Sequence, residues 1–232
     1  VLNATEWVEL LTEARDNAYI DAGGDLTVPL ESRPSAYQYP SEYTNPASFG
    51  EGTDFQDAIF QVAPTQRYNV SISGGTDNTQ YFVSANYLDQ DGIIKNSAYK
   101  KYAVRLGTDI KLNKKIKVGI NVTPTYSVRD NVNAEGHWGS NGAVLSALNL
   151  PPIFPLHEDD GSYGSLVDYG WGMPSIPSPL VPINELASQT KKLNVLGIAY
   201  AEWNILPSLK FRSSLNANVT SSSNDTYRTS QA

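Results

Sequence analysis

The side chains best suited to chemistry are few, and their spacing is poor for it. The two histidines, His137 and His157, sit in loop-like sequence without metal-ligand spacing. No HExxH, GxSxG or phosphate-cradling glycine motif occurs. The run His157-Glu158-Asp159-Asp160 offers carboxylate oxygens of the kind a hard cation takes, but a solvated acidic loop is the preferred reading. Asp54 and Asp57 read as helix-start residues, not as an acid/base pair. There is no cysteine, so disulfides and thiolate metal sites are excluded. The chain is read as no enzyme, with no cofactor and no metal.

Two other groups are candidates for recognition. Trp138, Tyr163, Tyr169 and Trp171 lie among Gly and Pro in one long irregular stretch. Their rings can stack on a ligand or a partner, or pack the small core of their own loop. Lys101, Arg105, Asp109, Lys111 and Arg212 alternate with apolar residues along strand-like segments. The net charge of −7 shows no basic stripe, so nucleic acid is not an expected partner. Fourteen Tyr against six Phe is a biased choice, suited to a membrane–water boundary because the ring is apolar and its tip polar. Tyr-rich loops or a carbohydrate-binding β-domain give the same composition.

The elements that position these residues are mostly strands. Asn3 to Asn17 reads as an amphipathic helix, capped by Asn3 or Thr5, with Trp7, Leu10, Leu11 and Ala14 as its apolar stripe. Gly23 to Gly52 reads as an ordered but irregular loop, and Thr53 to Gln61 as a further helical turn. Alternation of period two then marks Tyr68–Gly74, Gln80–Asp89, Lys101–Leu112 and Lys117–Val128. A long Pro-containing stretch follows, with a short helix near Gly142–Leu148. Strands resume over Lys192–Ile205 and Leu209–Thr220.

Most of these runs reach about ten to fourteen residues, whereas a globular strand averages five or six and a tilted barrel strand needs roughly nine to eleven. Connections alternate between short and long, the pattern of barrels with short periplasmic turns and long outer loops. No apolar run suits a membrane helix, and the mean hydropathy of −0.35 is compatible with barrel strands. The expected fold is all-β: six strands of an antiparallel up-and-down transmembrane barrel, with long extracellular loops holding short helices. In order, 1–66 is read as an extracellular loop and 67–128 as four strands. Residues 129–190 form a second outer loop, 191–220 a hairpin, and 221–232 the start of another loop. The charged face cannot meet lipid, where a mid-bilayer charge costs roughly 2–4 kcal/mol. Lys101, Arg105, Asp109, Lys111 and Arg212 are therefore expected to face the lumen or a plug within it. The Val/Leu/Ile/Ala face, with Tyr or Trp near strand ends, is expected to face outer-membrane lipid.

The stretch Thr53-Asp54-Phe55-Gln56-Asp57-Ala58-Ile59-Phe60-Gln61 followed by Tyr68-Asn69-Val70-Ser71-Ile72-Ser73-Gly74-Gly75 resembles the SusC/RagA family of TonB-dependent outer-membrane transporters. So do Tyr81-Phe82-Val83-Ser84, Tyr87-Leu88-Asp89-Gln90-Asp91-Gly92-Ile93-Ile94-Lys95-Asn96-Ser97, Lys101-Tyr102-Ala103-Val104-Arg105 and Asn113-Lys114-Lys115-Ile116-Lys117-Val118-Gly119. The opening Leu2-Asn3-Ala4-Thr5-Glu6-Trp7-Val8 is similar to the helix after that family's first strand. The resemblance implies a plugged barrel in the cell outer membrane, energised through TonB. It also implies a SusD-like surface lipoprotein as partner, and uptake of oligosaccharides or peptides. Six strands cannot close a barrel of about 22, so the chain is expected to be an early segment of a longer polypeptide. The plug, the other strands and the TonB-contacting part would lie elsewhere in it. Two readings compete: a barrel component of a surface assembly or secretion-associated complex, and a soluble β-rich glycan-binding module.

Overall fold

Period-two alternation produces six strands, seen in a computed structural model that describes residues 1–136, 142–163 and 176–230. They are β1 (Thr65–Gly75), β2 (Thr79–Asp91), β3 (Ala98–Lys111), β4 (Ile116–Asn131), β5 (Leu186–Leu206) and β6 (Leu209–Arg228). Each pairs antiparallel with the next in chain order. The sheet is open, with β1 and β6 at its edges. Short turns join β1–β2, β3–β4 and β5–β6 at one end. The β2–β3 turn and the long β4–β5 connection lie at the other. In the turn after β2, Asn96 adopts a left-handed conformation at φ 64°, which asparagine tolerates better than bulkier residues do.

β4 carries Pro124 inside the sheet, an uncommon place for a residue with no N–H to give. Its pairing with β5 is unbroken, but the β3–β4 register lapses between Ala103↔Thr125 and Leu106↔Val122. The lapse falls where the ladder bond from Pro124 is missing.

The chain divides into two compact units. Strands and their short turns make one, Gln61–Val132 with Asn184–Ala232. The other joins Val1–Phe60 to Asn133–Ile183, two segments far apart in sequence. This second unit is helical and irregular, so the expectation of an all-β chain is corrected: the fold is mixed. The cause is local sequence. Asn3 accepts from the Glu6 N–H at 2.8 Å while the Glu6 carboxylate accepts from the Asn3 N–H at 3.0 Å. That capping box starts α1 (Ala4–Asp21), which ends four residues beyond the Asn17 that the sequence implied. Its buried stripe is also rotated. Ala4 and Val8 are buried, whereas Leu10 is 51% exposed and Ala14 is exposed. Residues 30–49 then form four 3₁₀ turns, three preceded by Pro29, Pro34 and Pro40 and the last begun by Pro46. Proline's fixed φ suits each start.

α2 (Phe55–Ile59) is capped by Asp54, whose carboxylate accepts from the Gln56 and Asp57 N–H groups. Phe55 and Ile59 are buried, as are Ala143 and Ala147 of α3 (Ala143–Asn149), against which α2 packs. The Thr53 N–H donates to the Pro152 carbonyl at 2.8 Å. Gly52, at φ 71°, leaves no room for a Cβ between Pro152 and Ala4. A short α4 (Val181–Asn184) follows the buried Leu180. Asp16 and the largely buried Arg33 form an ion pair at 2.6 Å, with Arg33 over the Tyr19 ring. Burial, and next the Asp16 carboxylate, push the Tyr39 phenol above its ordinary range.

Candidate functional site

A strand puts successive side chains on opposite faces, and here the register aligns those faces across the sheet. On one face Tyr68, Tyr87, Tyr102 and Tyr126 sit directly opposite one another on β1 to β4. Their rings are 5.0 to 6.4 Å apart between neighbours. The Tyr87 hydroxyl donates to Asp89 at 2.7 Å, with Lys100 3.5 Å from the same carboxylate. Toward the short-turn end runs an unbroken apolar row, Ile72–Val83–Leu106–Val122–Gly197–Ala217. The band ends at a second bulky row, Ile116–Trp203–Phe211. Tyr126 and Ile116 are about ten residues apart on β4, roughly 33 Å along a strand. At a tilt of about 40° that is roughly 25 Å, the height of the apolar band on a membrane barrel. This face is bare: Val70 is 71% exposed and Leu215 74%. Soluble monomers rarely expose so large a continuous apolar patch.

The opposite face is polar and carries every charged strand residue expected of it. Lys101 lies in the row Leu88–Lys101–Ser127–Lys192. The Arg105 guanidinium lies 5.6 Å from the centre of the Phe82 ring. Lys111 donates to the Asp77 carbonyl at 2.9 Å. Asp109 and Arg212 join a network the sequence did not reveal. Asp109 accepts from the Tyr200 hydroxyl at 2.6 Å and pairs with Lys117 at 3.0 Å. Arg212 stacks over the Tyr200 ring at 4.3 Å. Glu202 is shared by Arg212 at 3.3 Å and Lys210 at 3.1 Å.

Register explains the assembly. Asp109, Gly119 and Tyr200 are successive members of one row, and Gly119 lacks the Cβ that would collide with the Tyr200 ring and the Asp109 carboxylate. The ring thus crosses a whole strand to reach its partner. Gly119→Val is expected to expel Tyr200 and to destabilise the folded protein more than Tyr200→Phe does. The latter removes one hydroxyl and costs about 1 kcal/mol. Denaturant unfolding of the two variants checks the order. Half-exposed ion pairs contribute only about 0–1 kcal/mol each. Stability therefore does not account for the cluster, whereas keeping its charges off the apolar face does.

Of the loop aromatics, Tyr163 packs against His157, ring centres 5.0 Å apart. Trp138, Tyr169, Trp171 and also His137 lie outside the described residues. In the acidic run, Asp160 accepts from the Ser162 hydroxyl at 2.6 Å and from its N–H at 2.9 Å. Those bonds hold the Asp160 carboxyl below the ordinary carboxylate range. A depressed folded pKa means that the turn is favoured above the unfolded value and loses that support as pH falls through the folded one. The Ser162 amide shift, followed against pH, is expected to titrate with a midpoint below the usual carboxylate value. A midpoint at or above it contradicts the turn.

The chain average conceals a segregation of charge. Among the described residues of the loop unit fifteen are acidic and two, Arg15 and Arg33, are basic. The strand unit is correspondingly basic. Lys111, Lys117, Lys210 and Arg212 gather at the short-turn end of its polar face, with Asp109 and Glu202 among them.

No family model matches the chain. It is 27% identical over 230 residues to TonB-dependent receptor P26 of Formosa agariphila, covering 98% of this chain and 21% of that protein. It is 30% identical over 128 residues to TonB-dependent receptor SusC of Bacteroides thetaiotaomicron, covering 51% of this chain and 11% of the relative. The chain is a distant homologue of SusC/RagA-family TonB-dependent receptors. It spans about a fifth or less of the length of these relatives. The RagAB peptide importer, solved in a "closed-closed" state, shares its fold with a TM-score of 0.58 and 22% identity, over 78% of this chain and 20% of that one. The SusC/RagA relatives are receptors and importers, not enzymes, and TonB-dependent receptors are an outer-membrane family.

Proposed function

We propose that this chain is part of the wall of an outer-membrane barrel that imports oligosaccharides or peptides with TonB-derived energy. The observation that carries the reading is the two-faced sheet, with a Tyr row and a Trp/Phe row bounding an apolar band of bilayer height. On this reading the apolar face meets lipid and the polar face the lumen. The loop unit lies outside the cell and the turns near Asp77, Lys114 and Pro207 lie in the periplasm. Open edges are not tolerated in lipid, so β1 and β6 pair with further strands of the same barrel.

Lys101, Arg105, Asp109, Lys111 and Arg212 line the lumen or a plug that fills it, since large transporter barrels have plugged lumens. Trp138, Tyr163, Tyr169 and Trp171 are assigned to ligand or partner contact in the outer loop. A SusD-like lipoprotein is the expected surface partner. Deleting the full gene is expected to abolish growth on one oligosaccharide or peptide class, measured against a panel of defined substrates. Loss of no substrate would favour a role in surface assembly, and extraction of the full protein without detergent would favour a soluble glycan-binding module.

A further inference from the structure

Two adjacent lysines at the short-turn end have no acid to answer them. Lys114 and Lys115 occupy the turn between β3 and β4, both exposed, and neither forms an ion pair among the described residues. The turn that carries them is fixed, because the Asn113 side chain accepts from the Lys115 and Ile116 N–H groups at 2.8 and 2.9 Å. The acids nearby are engaged on the polar face, Asp109 by Lys117 and Glu202 by Lys210 and Arg212. Among the described residues the only other acid of this end is Asp77, in the β1–β2 turn. The far end of the sheet is arranged differently. There Lys100 and Lys191, one row outward from the Tyr row on the apolar face, are each tied to an aspartate, Asp89 at 3.5 Å and Asp225 at 3.2 Å.

Position gives the free lysines a counterpart. The Leu112 N–H donates to the Ile116 carbonyl at 2.9 Å, so Leu112 extends the row Ile116–Trp203–Phe211 that ends the apolar band. Leu112, Trp203 and Phe211 are all exposed. Lys114 and Lys115 follow that row directly in sequence. Exposed rings at the edge of an apolar band, with lysines just beyond, are the anchors of a spanning segment at the headgroup layer. The long lysine stem lies along apolar surface while its ammonium reaches the polar layer. A phosphate is a compact anion, and an ammonium binds it as a point charge.

We infer that the Lys114–Lys115 turn binds the headgroup of an anionic glycerophospholipid in the periplasmic leaflet, with both ammonium groups on its phosphate and the Trp203–Phe211 row against the glycerol and upper chains. The inference rests on the barrel-wall reading, which puts this turn on the periplasmic side and this row in lipid. Lys100 and Lys191 make no such site, because their aspartates already neutralise them.

The test uses the full-length protein in vesicles of equal parts phosphatidylglycerol and phosphatidylcholine, with p-benzoylphenylalanine replacing Leu112. Illumination and mass analysis of the lipid-bearing peptide read the ratio of the two lipids at that one place. Phosphatidylglycerol adducts are expected to exceed phosphatidylcholine adducts about tenfold or more, since each lysine near an anionic surface supplies roughly fivefold. Lys114→Gln/Lys115→Gln is expected to remove that excess, with heat-modifiable gel migration showing that the variant is folded. The photoreactive residue at Val128, which lies between Lys100 and Lys191 in their row, is expected to show none. Equal adducts of the two lipids at Leu112, an excess that survives the double substitution, an equal excess at Val128, or an excess abolished by added inorganic phosphate overturns the inference. In each of those cases lipid is still captured at Leu112, and the barrel-wall reading stands. Capture of no lipid there would instead remove that reading along with the inference.

Discussion

Replacing Leu106 by lysine is expected to lower the stability of the folded barrel by roughly 2–4 kcal/mol, the range for a cation on a lipid face near mid-bilayer. Leu106 sits in the central apolar row, between Val83 and Val122. Asn121 lies at nearly the same depth on the opposite face, paired with Gly107. Asn121→Lys is accordingly expected to cost under about 1 kcal/mol, because a lumen-side charge stays wet. Denaturant unfolding in lipid vesicles, read by gel migration, measures both. Equal losses for the two variants would contradict the assignment of faces. The contrast matters more than either value, since both substitutions insert the same side chain.

The second large effect is expected in the loop unit. Phe55→Ala should cost about 3–5 kcal/mol, the usual range for removing a buried aromatic. Phe55 is 4% exposed, its neighbour Ile59 is fully buried, and α2 packs on α3. Since residues 1–60 and 133–183 share this core, both segments should become protease-sensitive together while the strands stay protected. Cleavage confined to residues near Phe55 would show that the two segments do not fold as one. A milder companion, Ile59→Val, is expected to cost roughly 0.5–1.5 kcal/mol.

The strands were legible because half-buried strands write period two directly into the sequence, and Tyr102, Val104 and Leu106 alternate cleanly with Lys101 and Arg105. Their ends were not legible. β5 and β6 run on to Leu186 and Arg228, past the apolar band, where polar pairs such as Lys191–Asp225 sustain the ladder and no alternation of hydrophobicity remains to mark it. The α1 stripe was misphased because Leu10 and Leu11 looked equally fit for burial. The choice fell to Ala4 and Val8 through backbone bonds from residues 4 and 5 to Glu51 and Gly50, contacts that no local pattern encodes. The loop unit was invisible for the same reason, joining segments separated by four strands.

The candidate site was half legible. Period two placed Asp109 and Arg212 on the polar face, but their meeting through Tyr200 depends on register across β3 to β6 and on Gly119 between them. A charge count by segment would have exposed one more feature, that the loop unit is acidic and the strand unit basic. The chain-wide value of −7 averaged it away.

Residues 1–232 hold no cysteine, so once any cysteine elsewhere in the full-length protein has been replaced, single cysteines carrying a nitroxide can be introduced one by one from Lys101 to Asp109. Collision rates with oxygen, which concentrates in lipid, and with a water-soluble nickel complex then report the surroundings of each side chain. Oxygen accessibility is expected to peak at 102, 104 and 106, and nickel accessibility at 101, 105 and 109, in strict alternation. Equal exposure of both faces to the nickel complex, or alternation in the opposite phase, would contradict a membrane wall built on these strands.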